Sequence, residues 1–269
     1  MSTAKAFAAA RDEGRGALVG YLPAGFPTFA DGVAALTALA EAGADVIEVG
    51  LPYSDPLLDG PTIQAASDAA LKAGTTTRDV LRTVEAVAAT GVPTVVMTYW
   101  NPVDHYGVAR FARDLAAAGG SGLITPDLTP DEAGDWLAAS DDAGLDRIFL
   151  VAPSSTDARL RFTASSCRGF VYATSVMGVT GTRTTTSARA PELVARLRAV
   201  TDLPVGVGLG VSSRAQAAEV AAYADGVIVG SAFVRRLLDT PDAAAGVSAV
   251  YALAAELAAG VREPRTPAS

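Results

Sequence analysis

The chain carries the stretch Ala44-Asp45-Val46-Ile47-Glu48-Val49-Gly50, a short apolar run that holds one glutamate and ends at a glycine. An unbroken apolar run, rather than an alternation of apolar and polar residues, is typical of a parallel strand that is covered on both faces. The residues just before it, 30–42, have the spacing of an amphipathic helix. Helices that alternate with short apolar strands are the repeating unit of α/β proteins.

The same unit recurs along the whole chain. Strands are predicted at 18–22, 46–50, 94–99, 122–125, 147–151, 170–173, 204–208 and 226–230. Helices are predicted at 30–42, 76–89, 108–118, 129–143, 157–166, 190–200, 213–222 and, last, 231–239 or 243–259. Eight units without an internal linker favour a single (β/α)8 TIM barrel over a doubly wound sheet. The barrel domain is predicted over 1–260 with an N-terminal helix, and 261–269 as a frayed polar tail.

The composition excludes several classes of partner and of catalytic site. Half of the 269 residues are hydrophobic, which excludes general disorder, and the net charge of −8 makes nucleic acid and anionic membranes poor partners. One cysteine and one histidine cannot form a disulfide or a Cys/His metal site, so no metal is expected. The N-terminus does not resemble a signal peptide, which predicts a cytoplasmic protein. Acid/base chemistry therefore falls to other side chains, above all carboxylates.

Glu48 is the carboxylate in the least expected place. An ionised glutamate within a covered strand must be paired or lose its charge. One interpretation is a structural ion pair with a nearby lysine or arginine. The other is an acid/base group, because active sites of such barrels lie at the carboxyl ends of the strands.

The loop after this strand, 50–61, adds two further acids, Asp55 and Asp59. Both stand in ordinary turn sequences, so a purely local role is the simpler alternative. A glutamate at the strand end and an aspartate eleven residues later could also face one pocket, with different surroundings setting one as acid and the other as base.

Small residues crowd the last three strand-to-helix junctions. They include Thr180 and Gly181 after the sixth strand, Gly208 and Gly210 after the seventh, and Gly230 and Ser231 after the eighth. Glycine serves tight turns, but free backbone N–H groups and a helix N-terminus also bind anions. Three adjacent junctions favour a site for a small phosphate ester.

Two isolated residues and one cluster remain open to interpretation. His105 reads as a surface residue in a turn, and Cys167 as an incidental thiol. The cluster Met97, Tyr99 and Trp100, at the end of the third strand, fits the barrel core and the wall of a ligand pocket equally well.

The sequence resembles the α subunit family of tryptophan synthase over about 16–238. The resemblance rests on the stretches 42–64, 178–181, 207–212 and 229–231. It implies a TIM barrel lyase that cleaves indole-3-glycerol phosphate to indole and glyceraldehyde 3-phosphate in tryptophan biosynthesis. It also implies a β-subunit partner in a tetramer of two α and two β chains, and no cofactor in this chain, with pyridoxal phosphate only in the partner.

The resemblance further implies residue roles. Glu48 would be the general acid/base, Asp59 the partner of the indole N–H, and Tyr172 a neighbour of the reacting centre. Asp55 would lie in a loop that faces the β subunit. The substrate-binding residues would be Tyr21, Met97 and Ile124 around the indole, Thr180 in a loop over the substrate, and Gly181, Gly208, Gly210, Gly230 and Ser231 near the phosphate.

Three other functions remain alternatives. A stand-alone lyase would need the same residues but no β subunit, and an idle regulatory subunit would act only through its loops. A different phosphate-binding barrel, such as a sugar-phosphate isomerase or aldolase, is disfavoured because the only lysines, Lys5 and Lys72, lie outside the predicted strands.

Overall fold

The computed structural model describes residues 2–174 and 186–263. Eight parallel strands pair in chain order and close on themselves, which confirms the predicted (β/α)8 barrel. The strands are β1 Ala17–Pro23, β2 Val46–Gly50, β3 Thr94–Met97, β4 Gly122–Thr125, β5 Asp146–Val151, β6 Val171–Thr174, β7 Val205–Gly208 and β8 Gly226–Val229.

Helices cover the outside of this barrel. In the described ranges they are α1 Thr3–Asp12, α2 Phe29–Glu41, α3 Pro61–Lys72, α4 Thr77–Ala88, α5 Trp100–Tyr106, α6 Val108–Ala117, α7 Gly134–Ala143, α8 Asp157–Ser166, α9 Thr186–Arg198, α10 Arg214–Ala221, α11 Ser231–Leu238 and α12 Ala243–Val261. The last two were predicted as alternatives, and both form. The predicted helix 129–143 begins only at Gly134.

The sequence prediction omitted two helices, α3 and α5. The predicted turn around His105 is wrong, because this residue lies in the last turn of α5. The reason is Pro102, which reads as a turn former but occupies the first turn of the helix, where its missing N–H needs no partner. Pro61 likewise stands at the first position of α3.

The N-terminal helix closes one end of the barrel. The Phe7 ring stacks on Phe170 with 4.9 Å between the ring centroids. A methyl group at Gly226 would lie 2.6 Å from Phe7 Cε1, so this position needs glycine. Asp146 anchors the helix, because its Oδ2 accepts hydrogen bonds from Thr3 N at 2.8 Å and Thr3 Oγ1 at 2.7 Å. The other end, where the strands have their carboxyl termini, is the end we call the mouth.

Helix α12 is apolar and 19 residues long, so length and composition alone would let it cross a membrane. Its residues Val250, Leu253 and Leu257 are buried instead, and the helix packs against α2, α10 and α11. It is therefore a core helix. Beyond it, Glu263 pairs with Arg214 at 2.7 Å, and the rest of the predicted tail, 264–269, lies outside the described residues.

Candidate active site at the barrel mouth

Glu48 points into the barrel near its mouth. On β2, Ile47 and Val49 belong to the outer core beneath the helices, whereas Val46 belongs to the cluster inside the barrel. Because successive side chains alternate between the two faces of a strand, Glu48 shares the inner face with Val46. Its Cα is paired in register with that of Tyr21 on β1.

The surroundings of Glu48 favour its neutral form. Its side chain is buried, with 1% of the residue exposed. Neither carboxyl oxygen has a hydrogen-bond partner among the described residues, so the structure shows no ion pair of the kind the structural alternative required. Burial raises the pKa of Glu48 to about 8. At neutral pH this carboxyl group is therefore mostly protonated and able to donate a proton.

Asp59 lies in the loop between β2 and α3, directly before Gly60, the N-cap of α3. It is partly buried, and its backbone oxygen accepts a hydrogen bond of 2.7 Å from Gln64 Nε2. Burial raises the pKa of Asp59, while a hydrogen bond from the Tyr99 side chain opposes that rise. The two carboxyl groups thus differ, since Asp59 has a donor that stabilises its anion and Glu48 has none among the described residues.

Two tyrosines show that these carboxyl groups share one space. Burial first, and then the carboxylates of Glu48 and Asp59, raise the pKa of both Tyr21 on β1 and Tyr172 on β6 well above the usual range. The geometry agrees, because Tyr21 is the register partner of Glu48 and its hydroxyl lies against Gly50, where the loop that carries Asp59 begins. The structure therefore brings together the two predicted acids from positions eleven residues apart.

Apolar side chains form the wall of this space. Ile124 on β4 is fully buried, and Met97 at the end of β3 is partly buried. Both belong to the cluster inside the barrel, as do Leu150 and Tyr172. A flat apolar group such as an aromatic ring can bury its faces against such a wall, with the acids at its edge.

The junctions after β7 and β8 offer an anion site beside this pocket. Gly210 has a φ of +69°, and a side chain there would meet open space, which leaves the backbone accessible. Gly230 is the N-cap of α11, and no side chain bonds to this helix end in the part of the chain that the structure describes. A methyl group at Gly230 would lie 3.1 Å from Tyr21 Cδ1, so the N-terminus of α11 at Ser231 adjoins the pocket.

Tyr172 also depends on a glycine of this region. A methyl group at Gly208, the last residue of β7, would lie 2.8 Å from the Tyr172 hydroxyl oxygen. Glycine here lets the ring occupy the pocket. Thr180 and Gly181, which the sequence also predicted as substrate-binding residues, lie outside the described residues.

Asp55 is exposed in the β2–α3 loop, where its carboxylate accepts a 2.5 Å hydrogen bond from Ser54 Oγ. Leu57 in the same loop is 76% exposed, the largest value among the exposed large hydrophobic residues of the described ranges. Both side chains are therefore accessible from solvent on the loop that also carries Asp59.

The whole barrel matches a known family. The family model described as tryptophan synthase alpha chain matches residues 7–262. The chain belongs to the tryptophan synthase alpha chain family. The alpha chain of Salinispora arenicola is 68% identical over 259 residues, covering 96% of this chain and 97% of that one. The alpha chain of Mycobacterium avium is 62% identical over 257 residues, covering 96% and 93%.

Solved structures agree with this membership. A structure of Mycobacterium tuberculosis tryptophan synthase superposes with a TM-score of 0.91 at 61% identity, covering 97% of this chain and 98% of that chain. A mutant tryptophan synthase alpha subunit from Pyrococcus furiosus gives a TM-score of 0.80 at 33% identity, covering 90% and 96%. As a member of the alpha chain family, this protein is a lyase that cleaves indole-3-glycerol phosphate in tryptophan biosynthesis.

Other chemistry-bearing groups lie apart from the alpha chain pocket. Burial raises the pKa of the Cys167 thiol to about 11, and His105 is exposed on α5. Across 2–174 and 186–263, no group of three or more histidine, cysteine, aspartate or glutamate residues could hold a metal ion. The absence of a metal or cofactor from the reaction stays a prediction.

Tyr99 also contributes to the site, although the sequence did not decide between a role in the barrel core and one in a pocket wall. Tyr99 is 4% exposed and its hydroxyl accepts a hydrogen bond of 2.8 Å from Leu58 N in the β2–α3 loop. The sequence holds one indication of a site role: Tyr99 comes two residues after Met97, just beyond the carboxyl end of a strand, where active sites of such barrels lie.

Proposed function

We propose that Glu48 and Asp59 together cleave indole-3-glycerol phosphate by a retro-aldol step. The observation that carries this proposal is the Glu48 carboxyl group, buried without a hydrogen-bond partner among the described residues and with a pKa raised to about 8. A protonated carboxylic acid in a water-poor pocket can give its proton to carbon C3 of the indole ring.

The proposed sequence returns each group to its starting state. Glu48 gives its proton to C3, and positive charge develops at the indole nitrogen, where the Asp59 carboxylate accepts the N–H hydrogen bond. Glu48, now anionic, takes the proton of the hydroxyl group on the carbon bonded to C3. The carbon–carbon bond breaks, its electron pair restores neutral indole, and the former alcohol becomes the aldehyde of glyceraldehyde 3-phosphate. Two carboxyl groups suffice, so the proposal includes no cofactor in this chain.

The proposed orientation of the substrate follows from the two ends of the pocket. The indole ring would lie against Met97 and Ile124, with Tyr21 and Tyr172 near the reacting carbon. The phosphate would accept hydrogen bonds from backbone N–H groups around Gly210 and at the N-terminus of α11. Backbone donors suit an acidic protein, because they bind an anion without a basic side chain.

Asp59→Asn is expected to lower kcat/KM for this cleavage by roughly 10²–10³, the typical cost of losing one group that stabilises charge in the transition state. The asparagine keeps the size of the side chain but not its negative charge. Steady-state production of indole measures the effect. Asp68→Asn, an exposed aspartate on α3, is the matched control and should keep wild-type turnover. Wild-type kcat/KM in Asp59→Asn would contradict the role of Asp59.

We also propose that a tryptophan synthase β subunit docks on the loop that holds Asp55 and Leu57, in a tetramer of two α and two β chains in the cytoplasm, with pyridoxal phosphate in the β subunit only. Support comes from the exposure of Leu57 on the very loop that presents Asp59. A β subunit bound to this loop would change the position of Asp59 and therefore the rate of cleavage. A stand-alone lyase would show no such dependence on a β subunit.

Leu57→Ser is expected to raise the concentration of β subunit needed for half-maximal stimulation of indole release by at least about tenfold. Burial of a leucine side chain contributes about 1.5–3 kcal/mol, which sets this size. Titration of the cognate β subunit into the cleavage assay measures it. Leu238→Ser removes another exposed leucine, on the last turn of α11, and should leave the titration unchanged. If the β subunit stimulated neither variant nor the wild type, the stand-alone lyase would be favoured.

A further inference from the structure

Tyr99 connects the end of β3 to the catalytic loop. Its side chain is buried beneath the β2–α3 loop, and its ring packs on that of Tyr53 with 5.1 Å between centroids. Its hydroxyl oxygen accepts a hydrogen bond from Leu58 N at 2.8 Å. Leu58 directly precedes Asp59. The hydroxyl group therefore binds the backbone one residue before the aspartate whose carboxylate is proposed to accept the indole N–H.

The same hydroxyl group also affects the ionisation of the Asp59 side chain, which directly follows Leu58 in the loop. The Tyr99 hydrogen bond lowers the pKa of Asp59, against the larger effect of burial, which raises it. A phenol has one hydrogen to donate and lone pairs to accept with. Because the Leu58 amide occupies the acceptor side, the hydroxyl hydrogen is free to point to the carboxylate. The backbone amide thus limits the directions in which Tyr99 can donate.

The backbone next to Tyr99 is held by a different loop. The next residue along the chain, Trp100, donates its backbone N–H to Asp127 Oδ1 at 2.9 Å. Asp127 belongs to the segment between β4 and α7. The ring of Tyr99 therefore extends from a strand end that a neighbouring loop holds in place, and it reaches a second loop that has no strand or helix of its own.

We propose that Tyr99 is a positioning residue for cleavage, whose hydroxyl group aims the Asp59 carboxylate at the indole N–H of the substrate. The proposal rests on the role of Asp59 in the proposed function. A loop aspartate with no fixed donor would sample several directions, and a fixed phenol hydrogen selects one of them. Hydrogen bonds to charged groups are among the stronger ones in proteins, so one phenol is sufficient for this role.

Tyr99→Phe tests the proposal, because it removes only the hydroxyl group. The variant should lose roughly tenfold in kcat/KM, the usual scale for one hydrogen bond to a charged group. The acid limb of the pH profile of kcat/KM should move to higher pH, because Asp59 loses the donor that lowers its pKa. The alkaline limb, set by Glu48, should stay in place. An unchanged acid limb would overturn the proposal.

Tyr106→Phe is the matched control. It removes a phenol that donates a 2.6 Å hydrogen bond to an aspartate, Asp114, on the outer helices α5 and α6. This variant should keep the wild-type pH profile.

The double variant Tyr99→Phe with Asp59→Asn separates positioning from loop support. Without the Asp59 carboxylate, removal of the hydroxyl should change the residual turnover by less than twofold. A second tenfold loss would show that Tyr99 acts only by supporting the loop through Leu58, and would overturn the proposal. Wild-type turnover in Asp59→Asn alone would instead refute the proposed function, so the two failures are distinguishable.

Discussion

Glu48→Gln is expected to lower kcat for indole-3-glycerol phosphate cleavage by about 10²–10⁴, because a positioned general acid contributes a rate factor of this size. Glutamine has nearly the shape of glutamic acid but cannot give a proton to indole C3 or take one from the substrate hydroxyl. Indole release, followed by its absorbance under saturating substrate, measures the loss. KM should change little, since the phosphate and the apolar ring are bound by other groups.

Glu85→Gln supplies the matched control for this experiment. Glu85 is exposed on α4, away from the mouth, so the same chemical change should leave kcat at the wild-type value. Glu48→Asp keeps the acid but shortens the side chain by one methylene group, and should fall between wild type and glutamine. A kcat within threefold of wild type in Glu48→Gln would remove Glu48 from the mechanism.

The sequence predicted the strands of the barrel well because burial on both faces leaves a simple pattern. The strand Val46–Gly50 was predicted with its exact bounds, and Glu48 was conspicuous as the one acid within it. Its burial and the absence of a partner among the described residues could not be predicted, because they depend on side chains from other strands, such as Tyr21 and Tyr172.

The contacts of the loops were not predictable from the sequence. Tyr99 and Leu58 are 41 positions apart, and their hydrogen bond depends on the path of an irregular loop. Local sequence patterns report whether a segment is a turn, but they do not report which strand end that turn covers. The helix α5 was missed for a related reason, since the residues Asn101 and Pro102 favour turns in isolation.

The burial of Glu48 should also make the protein less stable at alkaline pH. Its pKa is about 8 in the folded chain, against the ordinary value of 4.5 that applies when the chain is unfolded. Below pH 4.5 both states hold the proton, and the group contributes no pH dependence. Between pH 4.5 and 8 the unfolded state loses the proton while the folded state keeps it. The free energy of unfolding therefore falls by about 1.4 kcal/mol per pH unit over this window.

Glu48→Gln removes this titration, so its stability relative to wild type should rise with pH. The difference between the free energies of unfolding of the variant and of the wild type should increase by about 4 kcal/mol in favour of the variant from pH 5 to pH 8, by the same linkage. Urea unfolding of both proteins at several pH values measures the difference, with Glu85→Gln as the control that shows no such trend. A difference that stays constant with pH would mean that Glu48 is ionised in the folded protein. In that case it could not supply the proton, whereas the expected trend links the loss of activity and the gain of stability to one buried acid.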